Sequence, residues 1–195
     1  MTNAADNWER FLDPDVVRSV LSSATMFITA FELLKDCIAD RVRDFYTLGF
    51  GDKTATTPEY EQGVIARGKK KRPLHASLDW LREHQAIDET DLEIFTHLAI
   101  IRNQLAHELF NVVTGQVPSD YNSHFPALIA LLRKIEIWWI VNVEIAKNPD
   151  YDGQKIDENG ITSGALLSLQ MLIEVASGNT QLLEHWRRIH YCAKP

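Results

Sequence analysis

The fold class predicted is all-α, an up-and-down helical bundle with added helices. Three features of the sequence predict it. Apolar residues recur at three- and four-residue spacing over long segments, cap-forming residues precede those segments, and no segment sustains the alternation of a strand. Hydrophobic residues make up 45% of the 195-residue chain, enough for a real core.

The elements follow in order. Asp13-Pro14-Asp15 is a helix start, with Asp as N-cap and Pro in the first turn. Apolar residues continue to Leu48, with a break expected near Ser22-Ser23. Phe27, Phe31, Leu34, Ile38, Val42 and Phe45 form one stripe of an amphipathic helix, and Gly49 to Asp52 ends it. Residues 53–73 read as a long connection with room for a short helix at 58–65. A short helix is expected over 73–85 with Leu74, Leu78 and Leu81 inward, and another from Asp88 to about Phe110. Asn122 or Ser123 opens a long helix over about 124–147, and Asn148 to Gly153 is turn chemistry. Thr162 or Ser163 caps a helix to about Ser177, and 181–191 supplies one or two further turns. The chain reads as one domain over 1–195, with a C-terminal helical extension at about 160–191.

Charge and cysteine usage narrow the function classes. A net charge of −7 argues against holding long duplex nucleic acid by bulk attraction, but leaves room for a small basic cleft. Cys37 and Cys192 lie far apart and imply no disulfide framework, which fits a reducing compartment. Residues 1–13 are polar and acidic without a targeting pattern, and the apolar stretch Ile135 to Val143 is too short for a bilayer. A cytoplasmic protein with no membrane partner is therefore expected.

The chemistry concentrates in the helix that begins at Asp88. On a helical wheel Ile94, Leu98, Ile101, Leu105 and Leu109 form one apolar arc, with Phe95, Ala99 and Ala106 at its edge. Arg102 falls inside that arc, where a Leu or Ala is normal. A guanidinium keeps its charge, so its burial demands an acceptor. Asn103 and His107 lie one turn apart on the adjoining polar edge. Arg102 and His107 are separated by roughly 140° about the axis, which lets both reach the rim of one cleft.

Arg102-Asn103-Gln104-Leu105-Ala106-His107 resembles the R-x4-H motif of HEPN-family ribonucleases, including the polar residue after the arginine. Phe27 to Leu34 is similar to HEPN-like first helices, and the resemblance covers about 20–147 as a four-helix core. It implies metal-independent cleavage of RNA to a 2′,3′-cyclic phosphate, with no cofactor. His107 would act as general acid or base. Arg102 would hold the scissile phosphate, and Asn103 would orient the phosphate or the histidine. Known members pair two domains, so the single motif here implies a homodimer with a composite site. By analogy the role is that of a toxin or phage-defence component with an antitoxin or regulatory partner. The alternative is a non-catalytic HEPN-like module that binds a nucleotide or a protein.

Glu32 and Asp36 belong to a face read mainly as solvated. They are also the candidate partners of Arg102 or His107, in a structural role or beside the catalytic cleft. Lys69, Lys70, Lys71 and Arg72 form the one dense basic run, either a solvated loop or a contact for RNA phosphates. Gly63 to Lys70 departs from a phosphate-binding loop at its last position, Asn148 to Asn159 lacks the terminal Glu of a calcium loop, and His185, His190 and Cys192 do not have zinc spacing. No metal is expected. Trp138 and Trp139 read as packing residues.

Overall fold

The computed structural model describes residues 4–49, 54–67, 72–117 and 120–191, and among these it is an all-α bundle. Its elements are α1 (Ala4–Leu12), α2 (Pro14–Phe45), β1 (Thr47–Leu48), β2 (Ala55–Thr56), α3 (Pro58–Gly63), α4 (Pro73–Glu83), α5 (Glu89–Val113), α6 (Tyr121–Trp139), α7 (Gly164–Ala176) and α8 (Gln181–Tyr191).

The central element is α2, which touches α1, α4, α5, α6 and α7. Asp13 caps it as expected, its Oδ1 accepting from the amides of Asp15 at 2.9 Å and Val16 at 3.3 Å. Its buried stripe is Ala24, Phe27, Ala30, Phe31, Leu34, Ile38 and Val42. No break occurs at Ser22-Ser23. The Ser23 hydroxyl bonds back to the Ser19 carbonyl at 2.9 Å and meets the Tyr121 hydroxyl at 2.7 Å, so the helix satisfies the polar group instead of stopping for it. By length and composition this 32-residue helix also meets the requirement for crossing a bilayer. That property escapes a scan for charge-free runs. In the structure its stripe lies against α4, α5 and α6.

Three other elements depart from the sequence reading. Residues 4–12, within the segment read only as polar and acidic, form α1, whose Phe11 ring meets Phe110 of α5 edge-on at 5.8 Å. The chain leaving α2 forms a two-residue antiparallel pair, Thr47 with Thr56 and Leu48 with Ala55, too short for alternation to register. The 124–147 helix starts at Tyr121 and changes pitch at its end. After Trp139 the ladder widens to a π-turn over Ile140–Glu144, then tightens to a 3-10 turn over Ile145–Lys147.

The core encloses a charge. Glu136 of α6 is 0% exposed, and Arg41 of α2 grips both its oxygens, Nε to Oε1 at 3.2 Å and Nη2 to Oε2 at 2.9 Å. Arg41 Nη1 also donates to Glu144 at 2.7 Å. Beside them sits Cys37, whose thiol is pushed up to about 12 by burial and then by Glu136. It is no thiolate nucleophile at neutral pH.

Candidate functional site

Asp88 and Asp91 cap α5 with a reciprocal capping box, and the helix then packs against α2 and α6. The arc read from the sequence is the buried face: Phe95, Leu98, Ile101 and Leu105 are enclosed, and Ile94 and Leu109 pack against the core. Ala106, expected at its edge, is exposed. The helix continues three residues past Phe110 and is kinked at Glu108, with φ −120° and ψ 19°.

Arg102 is half-buried, 29% exposed at the side chain, and it has the acceptor that its place in the arc demands. Its Nη2 forms an ion pair with Oε1 of Glu32 on α2, and its Nη1 donates to Oδ1 of Asn103 at 3.2 Å. Oε2 of Glu32 pairs with Lys35 one turn on. Glu32 is thus bracketed by two cations. Burial pushes its carboxyl up, but the hydrogen bond from Lys35, the close contact with Arg102 and the charges of both outweigh that and hold it below its ordinary value. A carboxylate held low stabilises the fold above its unfolded pKa, and that contribution disappears as pH falls through the folded value. Glu32→Gln is therefore expected to flatten the acid limb of the stability curve, read by urea unfolding from about pH 6 to about pH 3. Parallel acid limbs for the two proteins would show that Glu32 is not so held.

The pairing leaves two buried atoms incompletely served. Arg102 Nε has no hydrogen-bond partner, and Glu32 Oε1 meets Arg102 only as an ion pair, without hydrogen-bond geometry. An orphaned buried donor of this kind costs about 1–3 kcal/mol. Both residues border a cleft of about 500 Å³ between α2, α4 and α5. Its apolar lining includes Phe31, Leu74, Leu78, Leu92 and Phe95, and Lys35, Arg102 and Asn103 contribute charge and polarity.

His107 is elsewhere. It is exposed and does not line this cleft, and among the described residues it makes no hydrogen bond, ion pair or ring contact. The expectation that Arg102 and His107 reach one rim is therefore not met within a single chain. The intervening 140° sends Arg102 toward α2 and leaves His107 on the open side. Asn103 stands between them, exposed and bonded to Arg102. Ile100, Asn103 and His107 share one face of α5 within roughly 60° of the axis. Ile100 is 61% exposed there, and Phe110, just past the kink, is 64% exposed. Phe110 continues into the Phe11 and Trp8 rings of α1, where Trp8 is 63% exposed.

Of the two carboxylates singled out, only Glu32 reaches the site; Asp36 is exposed and pairs with neither Arg102 nor His107. Lys35, read with the solvated face, is half-buried in the cleft. His75, Asp79 and Thr96 also line it and were missed, because only the approach of α4 to α5 gives them a common space. Lys69, Lys70 and Lys71 lie outside the described residues, and Arg72 is exposed just before α4. Among the described residues no cluster of three or more His, Cys, Asp or Glu is placed to hold a metal.

Compared with protein-family models, the chain has no match. It likewise has none among curated proteins or solved structures. Motif, geometry and charge carry the functional argument alone.

Proposed function

We propose that this protein is a metal-independent endoribonuclease whose active site is completed by a second copy of the chain. Arg102 would hold the scissile phosphate and His107 would move the proton, taken from the 2′-hydroxyl or given to the 5′-oxygen. Asn103, bonded to Arg102, would fix the guanidinium plane. The product would be a 2′,3′-cyclic phosphate, and the biological role that of a toxin or defence component working in the cytoplasm.

The observation that carries the reading is the face of α5 that holds His107. An uncommitted imidazole and the Asn103 amide stand on it beside exposed Ile100, and exposed Phe110 follows. Solvent-exposed apolar residues grouped this way mark a surface that is covered by a partner. A two-fold pairing would set one subunit's His107 beside the other's, with the Arg102 groups close behind. Each Glu32 is shared between Arg102 and Lys35, so two cations stand against one carboxylate and positive charge remains for a phosphate.

One observation favours the alternative of a binding module: the Arg102–Glu32 pair is also what a structural arginine would form. The two readings separate in one experiment. Purified protein incubated with total RNA in excess EDTA is expected to degrade it, and the His107→Ala protein is expected not to. Identical digestion patterns from the two proteins reject the ribonuclease reading, and so does activity that EDTA removes.

A further inference from the structure

Helices α7 and α8 stand apart from the site on α5, and both carry apolar residues on their open sides. In α7 only Leu169 is buried, with Leu166 and Ile173 packed against the core beside it. The outward side of this helix is apolar too. Leu167, Met171 and Val175 form a stripe within roughly 80° of the axis, with Leu172 at its edge. In α8 Leu182, Leu183, Trp186 and Ile189 fall within roughly 120°, and Glu184 and Arg188 lie opposite. Among the described elements α8 has no extensive packing partner. Apart from Leu182, the side chains of the two stripes are 42–57% exposed. They leave on the order of 600 Å² of mainly apolar surface open on each copy, so a reciprocal pairing would draw on roughly 1,200 Å², the scale of a specific interface.

The flanking charges select the orientation of what covers these stripes. Glu174 borders the α7 stripe about 20° outside Leu167, near the C-terminal end of the helix. Its carboxylate has no ion pair among the described residues. Arg133, which lines a common cavity with it, donates instead to the Glu158 carbonyl at 3.1 Å. Arg187 borders the α8 stripe about 40° beyond Leu183, also toward the C-terminal end, and it too lacks an ion pair among the described residues. Laid parallel, the stripes match in length at about 10–12 Å, and Glu174 and Arg187 fall on the same side of the contact, near the same end. Laid antiparallel, the Glu174 flank meets Gln181 and His185.

Within one chain α8 cannot lie parallel on α7. The link between them is a closed turn: Gly178 has φ 89°, and the Asn179 amide donates to the Glu174 carbonyl at 3.0 Å. The Asn179 side chain then accepts from the Gln181 amide at 3.0 Å. Helix α8 therefore starts at the C-terminal end of its own α7, and only another copy can supply it in the parallel sense.

We propose that α7 and α8 form a two-fold contact between copies of this chain, α8 of each copy lying parallel on α7 of the other, with Glu174 and Arg187 paired across the boundary. A two-fold contact of this kind repeats every pairing twice. It is distinct from the α5 face and does not depend on the ribonuclease reading.

The test is sedimentation equilibrium of the Ile100→Glu protein, in which pairing through α5 is removed. That protein is expected to remain dimeric, and adding Met171→Glu or Trp186→Glu is expected to make it monomeric. Glu174→Arg and Arg187→Glu are each expected to weaken pairing about tenfold, since each charge contact occurs twice, and their combination is expected to restore it. Circular dichroism and thermal melting establish that the variants are folded. A monomeric Ile100→Glu protein overturns the proposal, as does pairing indifferent to Met171→Glu and Trp186→Glu. A combined reversal that pairs no better than its weaker component overturns the parallel register and the proposal with it. Flotation with vesicles of phosphatidylcholine and phosphatidylglycerol tests the other occupant. Vesicle binding that Met171→Glu removes would assign the stripes to a lipid surface and overturn the contact between copies.

Discussion

Arg41→Ala is expected to lower the free energy of unfolding by roughly 3–5 kcal/mol at neutral pH. The basis is asymmetry of burial: Glu136 is fully enclosed, and both its oxygens are taken by Arg41. Removing the arginine leaves a fully buried carboxylate without its cation. The lower end of that range is the better guide, because Arg41 is itself 36% exposed and reaches solvent through Glu144. Arg41→Met combined with Glu136→Leu is expected to recover most of the loss, since an apolar pair of similar volume leaves no charge buried. Urea unfolding at neutral pH measures both variants against the parent. A loss in Arg41→Ala below about 0.5 kcal/mol, the scale of a surface change, would show that the pair is not buried as described.

The same region shows why helix α6 changes pitch. Glu136 and Glu144 are eight residues apart and in a regular α-helix would be offset by roughly 80°. One wide turn over Ile140–Glu144 absorbs about one residue, which brings Glu144 back to the face of Glu136 and within 2.7 Å of Arg41. Nothing in the local text announces this. The sequence shows one helix over 124–147, and the need to place two carboxylates on one guanidinium of α2 is a tertiary demand. What was legible is what depends on spacing along a single helix: the α2 stripe, the Asp13 cap, the α7 cap narrowed to Thr162 or Ser163 and found at Ser163, and the arc of α5 with Arg102 inside it. The arc also foretold that Arg102 needs an acceptor, and Glu32 was one of two candidates.

What stayed hidden has physical reasons of the same kind. Trp8 and Leu12 of α1 remain mostly exposed, so α1 shows no enclosed stripe among its described side chains and its text reads as polar and acidic. The strands are two residues long and carry no period. The cleft is made by three helices distant in sequence, and no one of them alone reveals it. His107 is the instructive residue. Wheel geometry correctly separates it from Arg102 by 140°, but a wheel does not say that α2 fills the side where Arg102 lies. One chain therefore holds the two groups in different surroundings, and the proposed joint action of Arg102 and His107 would need a second copy of the chain.

That separation leads to the last expected result. Arg102→Ala and His107→Ala are each expected to lower RNA cleavage by about 10²–10⁴, the size of a lost proton-transfer group and comparable to a lost electrostatic one. Mixed and allowed to exchange subunits, the two inactive proteins are expected to recover a substantial fraction of parental activity. In the mixed dimer one subunit keeps Arg102 and the other keeps His107. A site assembled across the two-fold axis needs only that each group be present on one side. If Arg102 and His107 acted within one chain, the mixture would be as inactive as its components, since no chain in it holds both. Recovery must also fall on dilution below the dimer dissociation constant, because the composite site exists only while the subunits are paired. Charge substitution on the apolar face, Ile100→Glu or Phe110→Glu, is expected to abolish recovery and parental activity together while leaving the Arg102–Glu32 pair intact, which separates loss of pairing from loss of chemistry. A mixture that stays inactive while both variants remain dimeric would reject the composite site.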